Sequence, residues 1–396
     1  MVSVSEASTI VNAHLYDPST EKVDVADCGD RILAEDIHAD RDFPPFNRVA
    51  MDGIAIQHAK FNAGKTTFAI QETAAAGEPQ KSLKSDENCI EVMTGAPLPT
   101  NTDTVIRYED IEIKNGIAAI RESAIEKGQN IHPQGQDAKK GEVILTKGTR
   151  VSPAEVALIA AVGKSQIEVK KLPRVAIVST GNELVDVNEA PKPHQIRRSN
   201  SYALQSAFNR HGCTSTRFHL QDDKDEITNG LTKIIEQHDV IVLSGGVSKG
   251  KFDYVPDALN TLGIEKHFHK VRQRPGKPFW FGSRGNKTVF ALPGNPVSTF
   301  MCFYRYIEPW LFNSLGLSAP EQKALLDANF EFKDDNLTYF LQVTLKNIDG
   351  KLVATPIPGG GSGDFANLKE VSAFMELQEG RKIFKKGETY PVYSFR

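Results

Sequence analysis

Cysteine is scarce in this chain: four in 396 residues (Cys28, Cys89, Cys213, Cys302), far apart and without a C-x-x-C pair. That spacing excludes a disulfide framework and a zinc ribbon, and fits a reducing compartment. No apolar run reaches the length of a membrane span. The first twenty residues (MVSVSEASTIVNAHLYDPST) carry neither a basic n-region nor an apolar h-region. A soluble cytoplasmic protein with no membrane partner is the expectation. Charge of one sign is also missing. The formal net charge of −3 provides no global field for nucleic acid or anionic lipid, so any anion site must be local. Finally, there is no G-x-G-x-x-G and no Walker A sequence, which argues against dinucleotide binding and P-loop hydrolysis.

What is present suggests several domains, since the length exceeds that of one ordinary core. Residues 4–16 predict a helix stopped by Asp17-Pro18, followed by extended text from Glu21 to Asp42. FPPFNRVAMDGIAI (Phe43–Ile56) sets two prolines before a Met51-Asp52-Gly53 corner and an Ile-Ala-Ile strand. Asp52 there is either a turn residue bonding its own backbone or an acid presented by a rigid corner, and spacing favours the turn. Residues 54–135 are β-rich, and Glu126–Leu145 is a glycine-punctuated loop segment carrying His132, Gln134 and Asp137. SPAEVALIAAVG predicts a helix capped by Ser152 with Pro153 at its first position.

From Lys171 strands alternate with helices, the pattern of a mainly parallel sheet with right-handed crossovers. A helix capped by Ser199 and closed by Gly212, a helix from Asp223 to Gln237, one from Asp253 to Leu262 and one from Val297 to about Leu311 are expected. The tail from 321 returns to short strands and reads as a separate β domain. The fold class is therefore α/β plus β, multi-domain.

In an open parallel sheet, ligands bind at the carboxyl ends of the strands. Three strands end in polar glycine-rich loops: Ser179–Leu184 (STGNEL), Leu243–Lys251 and Leu292–Ser298 (LPGNPVS). A fourth loop, QRPGKPF, sets Arg274 and Lys277 beside Gly276. Glycine amides of Gly245 and Gly246 with the hydroxyls of Ser244 and Ser248 suit phosphate, and Arg274 and Lys277 supply compensating charge. Glu183 and Asp253 are carboxylates among these loops, an arrangement that commonly brackets Mg²⁺. Glu183 is otherwise a surface acid, and Asp253 otherwise a helix cap. His267 and His269 share one strand face and lack a third ligand nearby, so a solvated face is expected there. Cys302 and the aromatic helix around it read as core.

Seven segments in order resemble the molybdopterin molybdotransferases of the MoeA type, which include the gephyrin E domain. They are Ala50–Gly53 (AMDG), Thr94–Pro99 (TGAPLP), Gly128–Asp137, Ser179–Leu184, Ser244–Ser248 (SGGVS), Pro275–Pro278 (PGKP) and Leu292–Pro296 (LPGNP). The resemblance covers nearly the whole chain. It implies an elongated linker domain (1–48 and 136–170), an inserted β-rich domain (49–135), an α/β molybdopterin-binding domain (171–320) and a C-terminal β barrel (321–396). It also implies a homodimer whose cleft joins the α/β domain of one subunit to the inserted domain and linker of the other. Molybdopterin adenylyltransferase and molybdoenzyme maturation proteins are the further partners it suggests.

The implied reaction takes adenylylated molybdopterin and molybdate, releases AMP and inserts molybdenum into the dithiolene. By that resemblance Glu183 and Asp253 hold Mg²⁺, and Asp52, Asp137 and Lys277 join them as catalytic groups. Thr94, Thr180, Ser244, Gly245, Gly246, Ser248, Arg274, Gly276, Pro293, Gly294, Asn295 and Pro296 would contact the substrate. Several positions depart from the pattern. His132 stands where the family loop usually has arginine, Arg48-Val49 where Asn-Ser is common, Arg274 where lysine is frequent, and Ser372-Ala373-Phe374 where Ala-Asn/Asp-Gly is usual. Two alternatives are an adenylyltransferase of the preceding step, which typically shows Gly-Gly-Thr-Gly where this chain has Gly245-Gly246-Val247-Ser248, and a non-catalytic scaffolding relative.

Overall fold

The computed structural model describes residues 1–247, 254–359 and 361–396. They form two compact units, Lys22–Val169 and a second made of Met1–Glu21 with Lys170–Arg396.

The Lys22–Val169 unit is built on an open six-stranded sheet. Its strands run in the order Thr104–Arg107, Gly53–Ile56, Asn88–Val92, Thr67–Ala74, Ile117–Ile120, Ile111–Lys114. Period-two alternation sends side chains to opposite faces, and here both faces are apolar. Ile54, Ile56, Cys89 and Ile106 join one core, while Ala55, Ile90, Val92 and Val105 join another. Gly53 begins the central strand because nothing larger fits: a Cβ there would lie 1.9 Å from the Ile106 carbonyl oxygen. A separate core gathers Cys28, Leu33 and Ile37 from before this sheet with Leu145, Ile159, Ile167 and Val169 from after it. The Pro153–Ala161 helix starts as expected, with Ser152 and Glu155 in a reciprocal capping box.

In the other unit, a six-stranded sheet has the order Ser215–Leu220, Val175–Thr180, Val240–Ser244, Lys287–Leu292, Trp280–Arg284, Glu265–His269. The first four strands are parallel and the last two antiparallel. Val175–Thr180 and Val240–Ser244 are buried at every position, which explains their unbroken apolar text. Crossover helices Asn200–Asn209 and Lys224–Gln237 connect the parallel strands. Asp223 caps the second by accepting from the amides of Asp225 and Glu226. Ser199 makes no such bond and lies in helical backbone, so the cap expected of it is absent and the first helix ends at Asn209, short of Gly212. The first helix of the chain is likewise shorter than expected, Val4–Asn12, with Ser3 and Glu6 as its capping box.

The expected helix from Val297 is one rod with a wide turn in it. Pro296–Cys302 and Glu308–Ser314 are α-helical, and Phe303–Ile307 between them is a π turn. Pro309 has no N–H to return to the Arg305 carbonyl, so the regular ladder cannot run through this point. Five strands of the tail close into a barrel: Thr338–Ile348, Lys351–Pro356, Gln322–Leu326, Thr389–Ser394, Ala373–Leu377, and back to the first. Two residues, Gln273–Arg274, pair in parallel with Thr338–Tyr339 and fix the QRPGKPF loop to the barrel edge. Ala373 and Phe374, which depart from the family pattern, are fully buried barrel residues. Among the described residues no helix is long and apolar enough to cross a membrane.

Candidate functional site

The three loops singled out from the sequence lie side by side, because the strands they follow are neighbours in register: Ser179 opposite Ser244, and Ser244 opposite Leu292. They enclose a cleft of about 350 Å³. Thr180, Gly181 and Glu183 come from the first loop, Gly245 and Gly246 from the second, Pro293, Gly294 and Asn295 from the third. Asp222 and Pro278 close its sides.

Backbone builds most of this wall. Gly245 and Gly246 hold φ of 103° and 68°, and a Cβ on Gly246 would stand 2.8 Å from Thr180 Oγ1. Thr180 is buried, and its hydroxyl oxygen has no hydrogen-bond partner among the described residues. A buried hydroxyl left without a partner costs about 1–3 kcal/mol. Glu183 folds back on Gly181, whose absent Cβ would meet the carboxylate at 2.5 Å.

Three residues that carry no motif hold the loops in place. Asn200 donates through Nδ2 to Ser244 Oγ and to the Gly294 carbonyl, both at 2.8 Å. His219 Nε2 lies 2.9 Å from the Gly181 carbonyl oxygen, which makes that nitrogen the donor. The Asp222 amide donates to Asn182 Oδ1 at 3.0 Å. Ser244 therefore sits buried behind the loop, with its hydroxyl engaged by Asn200. Ser248 and Asp253, expected to hold phosphate and metal, lie outside the described residues.

Pro278 apart, the start of the QRPGKPF loop faces a second cavity. Arg274 lines a pocket of about 400 Å³ with Tyr339, Gln342 and Ser362. Asn295 Nδ2 donates to Ser362 Oγ at 2.8 Å and so joins this pocket to the cleft. Gly276 is needed for close approach, because a Cβ would come within 2.9 Å of Cys302 Sγ. Its carbonyl accepts from the buried Gln273 amide at 2.9 Å. Lys277 is exposed and forms no ion pair with a described residue. Pro296 opens the helix that follows the third loop.

In the Lys22–Val169 unit the three upstream motifs meet. Arg48–Val49 pairs with Ile131–His132, and the Gly95 amide donates to the Val49 carbonyl at 2.9 Å. Asp52 Oδ1 accepts from the Thr94 amide at 2.6 Å and from the Thr94 hydroxyl at 2.8 Å. These bonds, the amide first, lower the Asp52 pKa below the ordinary aspartate value. The local-turn reading of Asp52 is thus corrected: its carboxylate is presented by a corner and bonded to a residue 42 positions away. Beside it, Arg48 Nη2 stands 3.1 Å from His132 Nδ1, and His132 Nε2 stands 2.8 Å from Asp137 Oδ1.

The expected solvated histidine face is a second correction. His267 stacks on His14 with ring centroids 3.7 Å apart, and burial followed by the neighbouring His14 pushes its pKa down. His269 Nε2 bonds the Val247 carbonyl at 2.9 Å. Neither belongs to a metal site, since no group of three His, Cys, Asp or Glu among the described residues could hold an ion. Cys302 is core as expected, its thiol pushed up to about 12 by burial.

Known proteins match this architecture from end to end. Residues 2–163 fit the family profile "MoeA N-terminal region (domain I and II)", 176–313 the "Probable molybdopterin binding domain", and 326–395 the "MoeA C-terminal region (domain IV)". A molybdopterin molybdenumtransferase of Synechocystis sp. is 40% identical over 400 residues, covering 100% of both chains. One from Bacillus subtilis is 30% identical over 407 residues, covering 100% of this chain and 94% of the relative. The crystal structure of a molybdopterin biosynthesis moeA protein from Pyrococcus horikoshii superposes with a TM-score of 0.84 at 32% identity, covering 100% of this chain and 99% of that one. With full-length relatives at this identity and a fold that matches over the whole chain, this protein belongs to the MoeA family of molybdopterin molybdenumtransferases.

Proposed function

We propose that this chain is a molybdopterin molybdotransferase of molybdenum cofactor biosynthesis, using adenylylated molybdopterin and molybdate and releasing AMP. The observation that carries the reading is the strand-end cleft, walled by Thr180 and the glycine turns of Gly245 and Gly246, with Glu183 and Asp222 as its carboxylates. Such a wall suits phosphate oxygens, which accept from amides and hydroxyls. In this reading Thr180, Gly245, Gly246, Pro293, Gly294 and Asn295 bind the phosphate portion. Arg274, with its pocket beside Ser362, attracts the molybdate dianion, aided by Lys277.

Mg²⁺ fits the donor chemistry of the cleft. Glu183 and Asp222 supply hard oxygens on its wall, and Asp253 is the third proposed donor. When bound, the ion would neutralise charge on the phosphoanhydride. The chain's own contribution is to bind the two phosphates, exclude alternative poses and hold both substrates near each other. The corner of Asp52, Thr94 and Asp137 completes the site from a second copy in a homodimer, with Asp52 kept ionised by its Thr94 bonds. The four-domain division given above and a cytoplasmic location belong to the same reading.

An adenylyltransferase is not favoured, because the relatives named above carry the transferase name over the full chain length. The test is Glu183→Ala, assayed for cofactor formation from adenylylated molybdopterin and molybdate. A loss of about a hundredfold or more is expected, and unchanged turnover would remove Glu183 from the mechanism. Complementation of a molybdotransferase-deficient strain separates enzyme from scaffold, since a scaffold restores no molybdoenzyme activity.

A further inference from the structure

Arg48, His132 and Asp137 stand in a row, and the chemistry of the row is fixed by its first member. A guanidinium has only N–H groups to offer and does not lose its proton. At 3.1 Å from Arg48 Nη2, His132 Nδ1 must therefore present its lone pair. The ring proton then sits on Nε2, which points at Asp137 Oδ1 from 2.8 Å. Strand pairing places Arg48 directly opposite His132, so the contact is held by backbone register as well as by side chains. The Asn130 side chain reinforces that register by donating to the Val105 carbonyl at 3.0 Å, and the Ala50 amide donates to the Asn130 carbonyl.

A doubly protonated ring cannot occupy this row. Its Nδ1–H would face the guanidinium with no acceptor between two cations. The charged groups bonded to the ring are Arg48 on the paired strand and Asp137 on the loop that follows.

We propose that Arg48 and His132 are positioning residues for Asp137: Arg48 locks His132 as the neutral Nε2–H tautomer, and that tautomer orients the Asp137 carboxylate. This deepens the reading given above and rests on Asp137 facing the substrate. Without the Nδ1 acceptor Arg48 loses its place in the row and Asp137 loses its orientation. Glutamine reproduces the neutral ring, with one acceptor and one donor on a planar end. Arginine at position 132 does not, unless position 48 becomes an acceptor.

The experiment measures kcat/KM with adenylylated molybdopterin and molybdate. His132→Gln should stay within about fivefold of the unmodified chain, while His132→Ala falls about tenfold or more. His132→Arg should fall similarly, and the pair Arg48→Gln with His132→Arg should recover most of that loss. Nitrogen-15 NMR of the histidine rings, with His132 assigned by its disappearance in the glutamine variant, should show Nε2–H with unprotonated Nδ1 at neutral pH. An Nδ1–H tautomer, read independently of the activity assay, or a loss in His132→Gln as large as that in His132→Ala, overturns the proposal. Asp137→Asn with full activity instead overturns the placement of Asp137 at the site, and the proposal with it.

Discussion

The strand-end cleft and the Asp52–Asp137 corner present polar groups by opposite means. In the cleft the wall is mostly main chain, glycines with positive φ and prolines that fix the turns, with the carboxylates of Glu183 and Asp222 beside them. At the corner the wall is side chain: a carboxylate held by threonine and a second held by histidine. A main-chain wall has fixed charge and fixed shape, so it resists pH and tolerates little substitution. A side-chain wall is adjustable by protonation and by conservative exchange. The first suits a group common to many ligands, such as phosphate, and the second suits fine orientation.

The largest effect should come from Gly246→Ala. The new methyl lies 2.8 Å from both Thr180 Oγ1 and Val255 Cγ2, and alanine resists a φ of 68°. A loss of about a hundredfold in kcat/KM is expected, with the second loop displaced. A harmless Gly246→Ala would break the contrast between the two walls. Next is Asn200→Ala, which releases both Ser244 Oγ and the Gly294 carbonyl. About tenfold in kcat/KM should be lost, with a fall in thermal midpoint, since each orphaned group is near a buried loop.

The smallest effect is expected from Thr94→Val, which keeps the amide bond to Asp52 and removes the hydroxyl. The amide is the larger cause of the lowered pKa, so Asp52 should titrate only somewhat higher in the variant, as read by carboxylate NMR. The sign follows from linkage. A carboxylate with a lowered folded-state pKa stabilises the fold above its unfolded-state pKa, and that contribution is lost as pH falls through the folded-state pKa. Thr94→Val should shrink this acid-side dependence. If it abolished activity while Gly246→Ala did not, the two walls would have exchanged roles.

Much of this was legible in the text of the chain because local rules coincide with the fold. Unbroken β-branched runs marked the buried parallel strands, and glycine with proline after each run marked the loops that form the cleft. Asp52 was misjudged because short spacing pointed to its own turn, whereas its partner Thr94 arrives through sheet pairing. Asn200, His219 and Asp222 were missed since each works by reaching a neighbouring loop, a relation that sequence spacing does not encode. The stacked His14 and His267 are likewise 253 positions apart in sequence and adjacent only after folding. Substituted family positions 48 and 132 looked unrelated in the text, and the ladder sets them opposite each other.

The wide turn at Phe303–Ile307 makes helix length itself a constrained quantity. Arg305 in that turn reaches Glu376 of the barrel at 2.7 Å, and Tyr306 donates to Gln273 behind the QRPGKPF loop. Because each helical residue turns about 100° around the axis, removing one from this turn would shift Arg305 and Tyr306 relative to their partners. Both anchors would then face the wrong way. Point substitutions can accumulate along this rod, but insertions and deletions cannot, so its residue count should be inherited as strictly as any side chain in the cleft.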